Sequence, residues 1–475
     1  MAESGTPLSA AKGRSPAAIP AQVWKVASVA ILGSLMAQMD ATVVNVSLSS
    51  LAVSLHSSLS AMQWIISGYL LALALMLPLN GWLVERIGAR NLYLVCFAGF
   101  TLTSALCGFA WSASSLVAFR VLQGMSGGLM APLAQMMVAR VTPKENLARV
   151  FGYVTVPIML GPILGPVLAG AILQHASWRW LFFINLPLGA LGLLLSVVFL
   201  PRERAEGQPR SFDLPGFLLL SPGLVLFLYG CDHIRERIGA IALVLAALLL
   251  AGFFRVALRK QKHAIVDLRL FRSRMFSVAA TNQFLMNGLA FAGQMLIPVY
   301  LIRGCGESPA ATGWLLAPMG VGMLCTFPLM GTLVERMGTR RLAVTGAVFA
   351  LAGTLAFVYF AGHGLSVAAL VCALFLRGAG LSAVGLPSAA GAYTSVAKED
   401  LPLATTSMNI VQRLGGPTLT TVCATFLGWK LGAGSSHATL SAAFVAAFVL
   451  FAGLHALLCI SAARLPAPRS DELRA

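Results

Sequence analysis

Charge is what this sequence has least of. Only 10% of its 475 residues are Asp, Glu, Lys or Arg, while 58% are hydrophobic; a soluble domain normally carries about 25% charged residues. Acids are scarcer still, 16 Asp and Glu against 33 Lys and Arg. A soluble fold cannot hide that much apolar surface. A mean hydropathy of +0.84 fits a bilayer instead, where each spanning segment must satisfy its own backbone hydrogen bonds. The strand-like alternation of an outer-membrane barrel is absent. No Cys-x-x-Cys pair occurs among Cys96, Cys107, Cys231, Cys305, Cys325, Cys372, Cys423 and Cys459. Most of these fall inside apolar runs and read as small buried hydrophobes, so neither a metal nor a redox centre is expected. No phosphate-binding GxxxxGK[ST] loop occurs, which excludes ATP-driven pumping by this chain. Residues 1–20, rich in Ala, Ser and Pro, lack the apolar core of a cleavable signal, so the first helix is expected to act as an uncleaved one. That stretch and the tail after Arg464 are expected to be disordered.

What the chain does have is apolar runs of about 20 residues, the length that spans hydrocarbon as a helix. Fourteen helices are expected, at about 25–48, 62–84, 91–111, 114–139, 147–173, 179–200, 214–230, 238–258, 275–302, 309–333, 341–361, 365–391, 402–429 and 438–462. With the N-terminus inside, the outer loops hold only Arg179, Arg235, Arg237, Arg303 and Lys430, and three arginines (Arg120, Arg377, Arg413) lie within helices. The rest of the 33 Lys and Arg fall in inner segments, a bias that places both termini in the cytoplasm. These cations sit in short loops and are not interleaved with aromatics on one polar face, so nucleic acid is not an expected partner.

The chain repeats itself. GWLVERIGAR at Gly81–Arg90 returns as GTLVERMGTR at Gly331–Arg340, an offset of 250. Gly124 matches Gly378, and Lys144-Glu145 matches Lys398-Glu399, at an offset of 254. Helices 1–6 and 9–14 are therefore two related halves, with helices 7 and 8 inserted between them. The expected organisation is a cytoplasmic tail at 1–24, a six-helix bundle at 25–200, a linker with the inserted helices at 201–274, a second six-helix bundle at 275–462 and a tail at 463–475. Two repeated bundles with a site at their interface form the architecture of an alternating-access transporter.

Asp40 is the only acid deep in a predicted span. A lone carboxyl in hydrocarbon is costly and should face a cavity, a partner or a proton pathway. Hydrocarbon favours the neutral acid and a nearby cation favours the carboxylate, so a group held between them can take and release protons. The alternative is a structural carboxylate permanently paired with an arginine. Arg120 is the expected partner: both residues sit about 7 residues from the outer ends of their helices, ~10 Å below the surface. The repeat position of Arg120 is Leu374. In the two repeated loops, Gly81, Gly88 and Gly331 supply tight turns, while Glu85, Arg86, Arg90, Glu335, Arg336 and Arg340 offer charge pairs that lock one state. In helix 5, Gly161, Pro162, Gly165 and Pro166 predict a kinked helix that lets a neighbour approach closely. Arg413 has no intramembrane acid of its own; contacts to carbonyls or lipid headgroups are as open as a functional role. His455 reads as a core histidine.

Several segments together carry a family resemblance: MDATVVNVSL at Met39–Leu48, QWIISGYLLALALMLPLNGWLVERIGAR at Gln63–Arg90, FRVLQGMSGG at Phe119–Gly128, GPILGP at Gly161–Pro166, SWRWLFFINLPLG at Ser177–Gly189, FDLPGFLLL at Phe212–Leu220 and TSMNIVQRLGGP at Thr406–Pro417. In this order the chain resembles the major facilitator superfamily (MFS), in its fourteen-helix drug:proton antiporter group (EmrB/QacA type), over nearly its whole length. The resemblance implies an all-α integral membrane fold of two six-helix bundles plus two inserted helices. It implies proton coupling through Asp40 tuned by Arg120, and it marks the Gly161–Pro166 motif as that of exporters. Two positions depart from the pattern: Glu85 stands where the family usually has Asp, and Pro166 replaces the second Gly of a Gly-Gly pair. The resemblance also implies a cavity lined from helices 1, 4, 9 and 12, with Gln38, Asn45, Gln123, Gln283, Asn287, Phe291, Gln294, Met295 and Tyr300 as candidates. Apolar walls with a few amides suit lipophilic ligands, and Met adapts to several shapes.

The leading expectation is a proton-coupled antiporter of a bacterial inner membrane, multi-pass, that exports drug-like or lipophilic small molecules by alternating access. A dedicated exporter of one endogenous metabolite is the alternative from the same class; a membrane sensor or enzyme is the alternative from another. The outer loops show no second polar cluster of the kind an enzyme needs, so no catalytic residue and no cofactor other than the coupling proton is expected. The expected partners are the small-molecule substrate and membrane lipid. The chain is read as a monomer, and no residue points to a periplasm-spanning partner.

Overall fold

The computed structural model describes residues 19–202, 211–431 and 437–466. The stretches 1–18 and 467–475, for which disorder was expected, fall outside them. Every long element is a helix, because each apolar run must close its own hydrogen bonds. The first half holds α1 (Ala21–Ser54), α2 (Leu59–Met76), α3 (Leu79–Ile87), α4 (Ala89–Gly108), α5 (Ala113–Val141), α6 (Leu147–His175), α7 (Trp180–Phe183) and α8 (Asn185–Phe199). Then come α9 (Leu214–Asp232) and α10 (Arg237–Lys260). The second half holds α11 (Arg274–Arg303), α12 (Pro309–Thr326), α13 (Met330–His363), α14 (Val367–Thr394), α15 (Leu401–Leu431) and α16 (His437–Ala463).

The repeat governs the local geometry. Ser58 and Ser308, 250 positions apart, cap α2 and α12 by accepting the amides of Ala61 and Ala311. Pro78 and Pro328 stand at equivalent breaks: α2 and α3 meet at 59°, and a short 3-10 turn at Phe327–Leu329 separates α12 from α13. Proline removes a backbone donor there. Gly88 and Gly338 both adopt positive φ, +80° and +75°, a left-handed conformation in which a Cβ would collide with the chain.

Among the described residues, ten helices are long and apolar enough to cross a membrane, or eleven if the bent α2–α3 pair is one span. One of the ten, Ala311–His363, has 53 residues. A straight helix of that length would run about 80 Å, more than twice the roughly 30 Å hydrocarbon core, and Gly338 breaks it. The uninterrupted segment predicted at 309–333 is thus a broken one that runs into α13. α1 continues to Ser54 rather than ending at 48.

Among the described residues, the two halves pack together at the end where α1 begins and α16 finishes. One apolar cluster crosses between them there, with Met137, Val150 and Phe151 packed with Phe276, Tyr393 and Ala404. Cross-half hydrogen bonds reinforce it. Asn80 Nδ2 donates to Thr406 Oγ1 at 3.1 Å, and Lys144 Nζ donates to the Thr394 carbonyl at 3.0 Å. Gln135 Oε1 accepts from Tyr393 Oη at 3.0 Å and from Asn409 Nδ2 at 2.9 Å. At the opposite end the apolar clusters of the two halves are separate. α9 stands behind the gap, packed on α2 through a Trp64–Tyr229 ring stack and on α15 through Thr421.

Candidate functional site

Asp40 lies at the centre of a sealed polar network inside the first half. Its side chain is 2% exposed. Oδ2 accepts from Arg120 Nη1 of α5 at 2.5 Å. Oδ1 accepts from Asn185 Nδ2 at the start of α8, at 2.8 Å, and from Gln123 Nε2 at 3.1 Å. Gln123 follows Arg120 by three positions, which places both on one helix face. Its Oε1 accepts from Arg120 Nη1 at 2.6 Å, and its Nε2 also donates to Ser104 Oγ of α4 at 2.7 Å. Arg120 Nε donates to the Ile65 carbonyl at 3.3 Å, and its guanidinium lies 4.2 Å from the Tyr69 ring centre. Each of these side chains is buried.

Chemically, the carboxylate is held by one charge-assisted bond and two amide donors, with no other acid beside it. Three side-chain donors thus converge on one carboxylate. A proton arriving on either oxygen would leave a donor facing a donor and weaken the Arg120 bond. The network ties α1, α4, α5 and α8 together through one carboxylate.

The second half carries the counterpart without the acid. The offset of 254 carries Gln123 to Arg377, and the offset of 250 carries Ser104 to Thr354 and Tyr69 to Met319. Arg377 is fully buried. Its Nη2 donates to the Leu289 carbonyl at 2.6 Å, its Nη1 lies 3.5 Å from Met319 Sδ, and its guanidinium stands 5.0 Å from the Phe451 ring centre. On α11, a Cβ at Gly293 would run into the Arg377 guanidinium. His455 is buried beside it, with Nδ1 2.9 Å from the Phe451 carbonyl and Nε2 3.3 Å from Thr354 Oγ1.

A family model described as Major Facilitator Superfamily matches residues 30–420. The chain belongs to the Major Facilitator Superfamily. It is 33% identical over 470 residues to MdtD of Klebsiella pneumoniae, named as a candidate multidrug resistance protein, with 95% of this chain and 96% of that one covered. It is 31% identical over 413 residues to a Mycobacterium tuberculosis protein named "Multidrug resistance protein B homolog", covering 86% of this chain and 76% of the relative. Among solved structures, the human organic anion transporter MFSD10 superposes with a TM-score of 0.63 at 17% identity, covering 93% of this chain and all of that one. A double Trp mutant of XylE gives 0.64 at 14% identity, covering 94% and 97%. These two likenesses establish the MFS fold in an all-helical, multi-pass membrane protein.

Within that fold the repeated loops face each other across the closed end. A Cβ at Gly81 would lie 2.9 Å from Leu403 Cδ2 of the other half. A Cβ at Gly331 would lie 2.5 Å from Arg149 Cβ of the first half. The two glycines are thus reciprocal contacts of the gate. Arg90 Nη2 donates to the Val197 carbonyl at 2.9 Å within its own half, and Arg86 stands 5.6 Å from the Trp82 ring centre. Glu335, Arg336 and Arg340 are exposed, and no ion pair joins Glu335 to a described residue. Glu85 is half-buried. Glycine contacts and cross-half hydrogen bonds, the Lys144 ammonium among their donors, hold this end together.

The Gly161–Pro166 motif brings α6 onto α1 beside Asp40. A Cβ at Gly161 would meet Gln38 Cβ at 2.9 Å, and one at Gly165 would strike Thr42 Oγ1. The side chains of Pro162 and Pro166 fall outside the described residues.

The cavity candidates divide. Gln38 and Asn45, two turns apart, lie exposed on α1, and Phe291 and Gln294 lie exposed on α11 with half-buried Asn287 on the same side. Three others are not cavity residues. Gln123 is enclosed in the Asp40 network. Gln283 is buried and donates to the Gly385 carbonyl at 2.7 Å. Tyr300 is locked edge-on between Phe444 and Phe448. Met295 packs half-buried on the same core. In all three cases the helix phase turns the side chain into its own bundle. Sequence reasoning missed Asn185, Ser104 and Tyr69; the spacing of Arg120 and Gln123 was the one available signal for the network.

Proposed function

We propose that this chain is a fourteen-span, proton-coupled antiporter that exports drug-like or lipophilic small molecules across a bacterial inner membrane, with both termini in the cytoplasm. The observation that carries the reading is the buried Asp40–Arg120 pair, at 2.5 Å, in a half that holds no other buried acid among its described spanning residues. An ion pair sealed in a bundle core does little for stability, whereas an intramembrane acid is a natural proton acceptor. The Lys and Arg bias supports a cytoplasmic position for the packed end of the bundle, and on this reading cargo leaves and a proton enters from the outside. Protonation of Asp40 loosens Arg120, the halves rock, and the Gly81 and Gly331 contacts open to the cytoplasm. Release of the proton there restores the pair as new cargo binds. Each proton driven by the potential supplies ~2.3 kcal/mol per 100 mV.

The test uses purified protein in liposomes with a pH dye inside and an imposed proton gradient. Lipophilic compounds are added to wild type and to Asp40→Asn. Cargo-evoked proton flux in wild type and none in the variant supports the reading. Equal flux in both moves coupling elsewhere, and no flux with any compound sinks antiport.

A further inference from the structure

Arg120, Arg377 and Arg413 lie well inside α5, α14 and α15. Arg120 is answered by Asp40. Arg377 is enclosed by the Leu289 carbonyl, Met319 and Phe451. Arg413 has no such surroundings. It lies on α15 in the seam between the halves, where α2 and α15 face each other and α9 closes the gap from behind. Its Nε is buried without a hydrogen-bond partner, and no hydrogen bond or ion pair joins the side chain to another described residue. It lines a small recess with Leu77 of α2, Leu224 and Leu228 of α9, and Ile410 and Leu414 of α15. Tyr69 of α2 is within its electrostatic reach.

We infer that this seam binds the acidic head of an amphiphilic anion, with Arg413 taking the head and the leucine-lined recess taking the start of the tail. The Nε of half-buried Arg413, buried with no hydrogen-bond partner, is costly to leave so, and an arriving anion that accepts from it removes that cost. A carboxylate, sulfonate or phosphate monoester can accept two parallel N–H bonds from one guanidinium. The six other residues lining the recess, Ala74 of α2 among them, are aliphatic and offer no competing side-chain acceptor. A cation would be repelled. An anion is also the cargo class that an inside-negative potential drives outward. This inference rests on the exporter reading and narrows its substrate class. The same head chemistry exists on a soluble metabolite and on an anionic lipid.

The experiment is equilibrium binding, which needs neither transport nor a gradient. The protein is placed in phosphatidylcholine nanodiscs, and the probes are a dansyl-labelled undecanoic acid and its methyl ester, identical in tail. Wild type should bind the acid about tenfold tighter than the ester, the size of one good charge-assisted contact. Arg413→Gln should lose that difference while ester binding stays unchanged, and Arg413→Lys should keep part of it. Leu228→Trp fills the recess, keeps the guanidinium and should weaken both probes. Equal acid binding by wild type and Arg413→Gln overturns the inference. If the Gln variant does not fold, unchanged acid binding by Leu228→Trp overturns it instead. Repeating the titration with phosphatidylglycerol in the disc assigns the source: displacement of the acid by the lipid means a headgroup occupies the seam in the membrane, and its persistence means free anions do. Acid binding with no proton flux for any compound would separate this site from the antiport reading, which fails alone in that case.

Discussion

Asp40 on α1 and Arg120 on α5 are 80 residues apart in the chain and 2.5 Å apart in the fold, each almost fully buried. Removing one partner strands the other in a desolvated core. Asp40→Asn should therefore destabilise the protein by about 3–5 kcal/mol, while replacing both residues by Leu should recover most of that loss. Thermal unfolding of the singles and the double in detergent gives the coupling. Strict additivity of the two single effects would show that the pair is not a unit.

How much of this was legible beforehand depended on what each residue type reveals alone. Asp40 and Arg120 stood out because a charge in an apolar run has few explanations. The repeat stood out because ten positions recurred in register. Asn185 and Ser104 did not, because a neutral amide or hydroxyl in a helix reads the same whether it faces a carboxylate, a carbonyl or a cavity. Gln123 and Tyr300 were placed in the cavity because helix number alone does not fix helix phase. The breaks at Pro78 and Pro328 were visible as residues, but the bend they produce depends on the neighbours that each half-helix packs against. Among the described residues the hydropathy count reaches ten or eleven spans, with Ala311–His363, which joins α12 to α13, taken as one.

Gly88 and Gly338 share one left-handed backbone conformation. Alanine at either site forces an L side chain into that region, at a cost of roughly 1–2 kcal/mol. Gly88→Ala and Gly338→Ala should each lower the unfolding temperature by a similar amount, and the two effects should add, since the sites lie in different halves. A neutral result at one site would mean that its loop re-forms with another turn.

Gln135 receives both Tyr393 Oη and Asn409 Nδ2 across the closed end. Gln135→Leu leaves the Tyr393 hydroxyl without its acceptor and Asn409 Nδ2 with the Thr405 carbonyl alone, a loss of about 1–3 kcal/mol while the end stays closed. Opening hydrates them, so the population should shift at least about tenfold toward the open-to-cytoplasm state. Spin labels at Asn91 and Arg341, exposed and 250 positions apart, report this as a longer distance on a cysteine-free background. An unchanged distance distribution would remove Gln135 from the gate.

Gly293 tests whether the second half is waiting for the charge that the first half possesses. The Arg377 guanidinium occupies the space where a side chain at 293 would grow. Any substitution must push it aside and strain its bond to the Leu289 carbonyl, so Gly293→Asn should destabilise the protein by about 1–3 kcal/mol. Gly293→Asp has the same volume but offers the guanidinium an anion in a low-dielectric core, where a charged partner strengthens a hydrogen bond about twofold. The Asp variant should therefore be more stable than the Asn variant when the two are melted side by side near neutral pH. The advantage should shrink as pH falls and the new carboxylate takes a proton, because the neutral acid resembles the amide. Equal melting temperatures at every pH would mean that the Leu289 carbonyl, Met319 and Phe451 already satisfy Arg377, and that the two halves differ in charge without one needing what the other has.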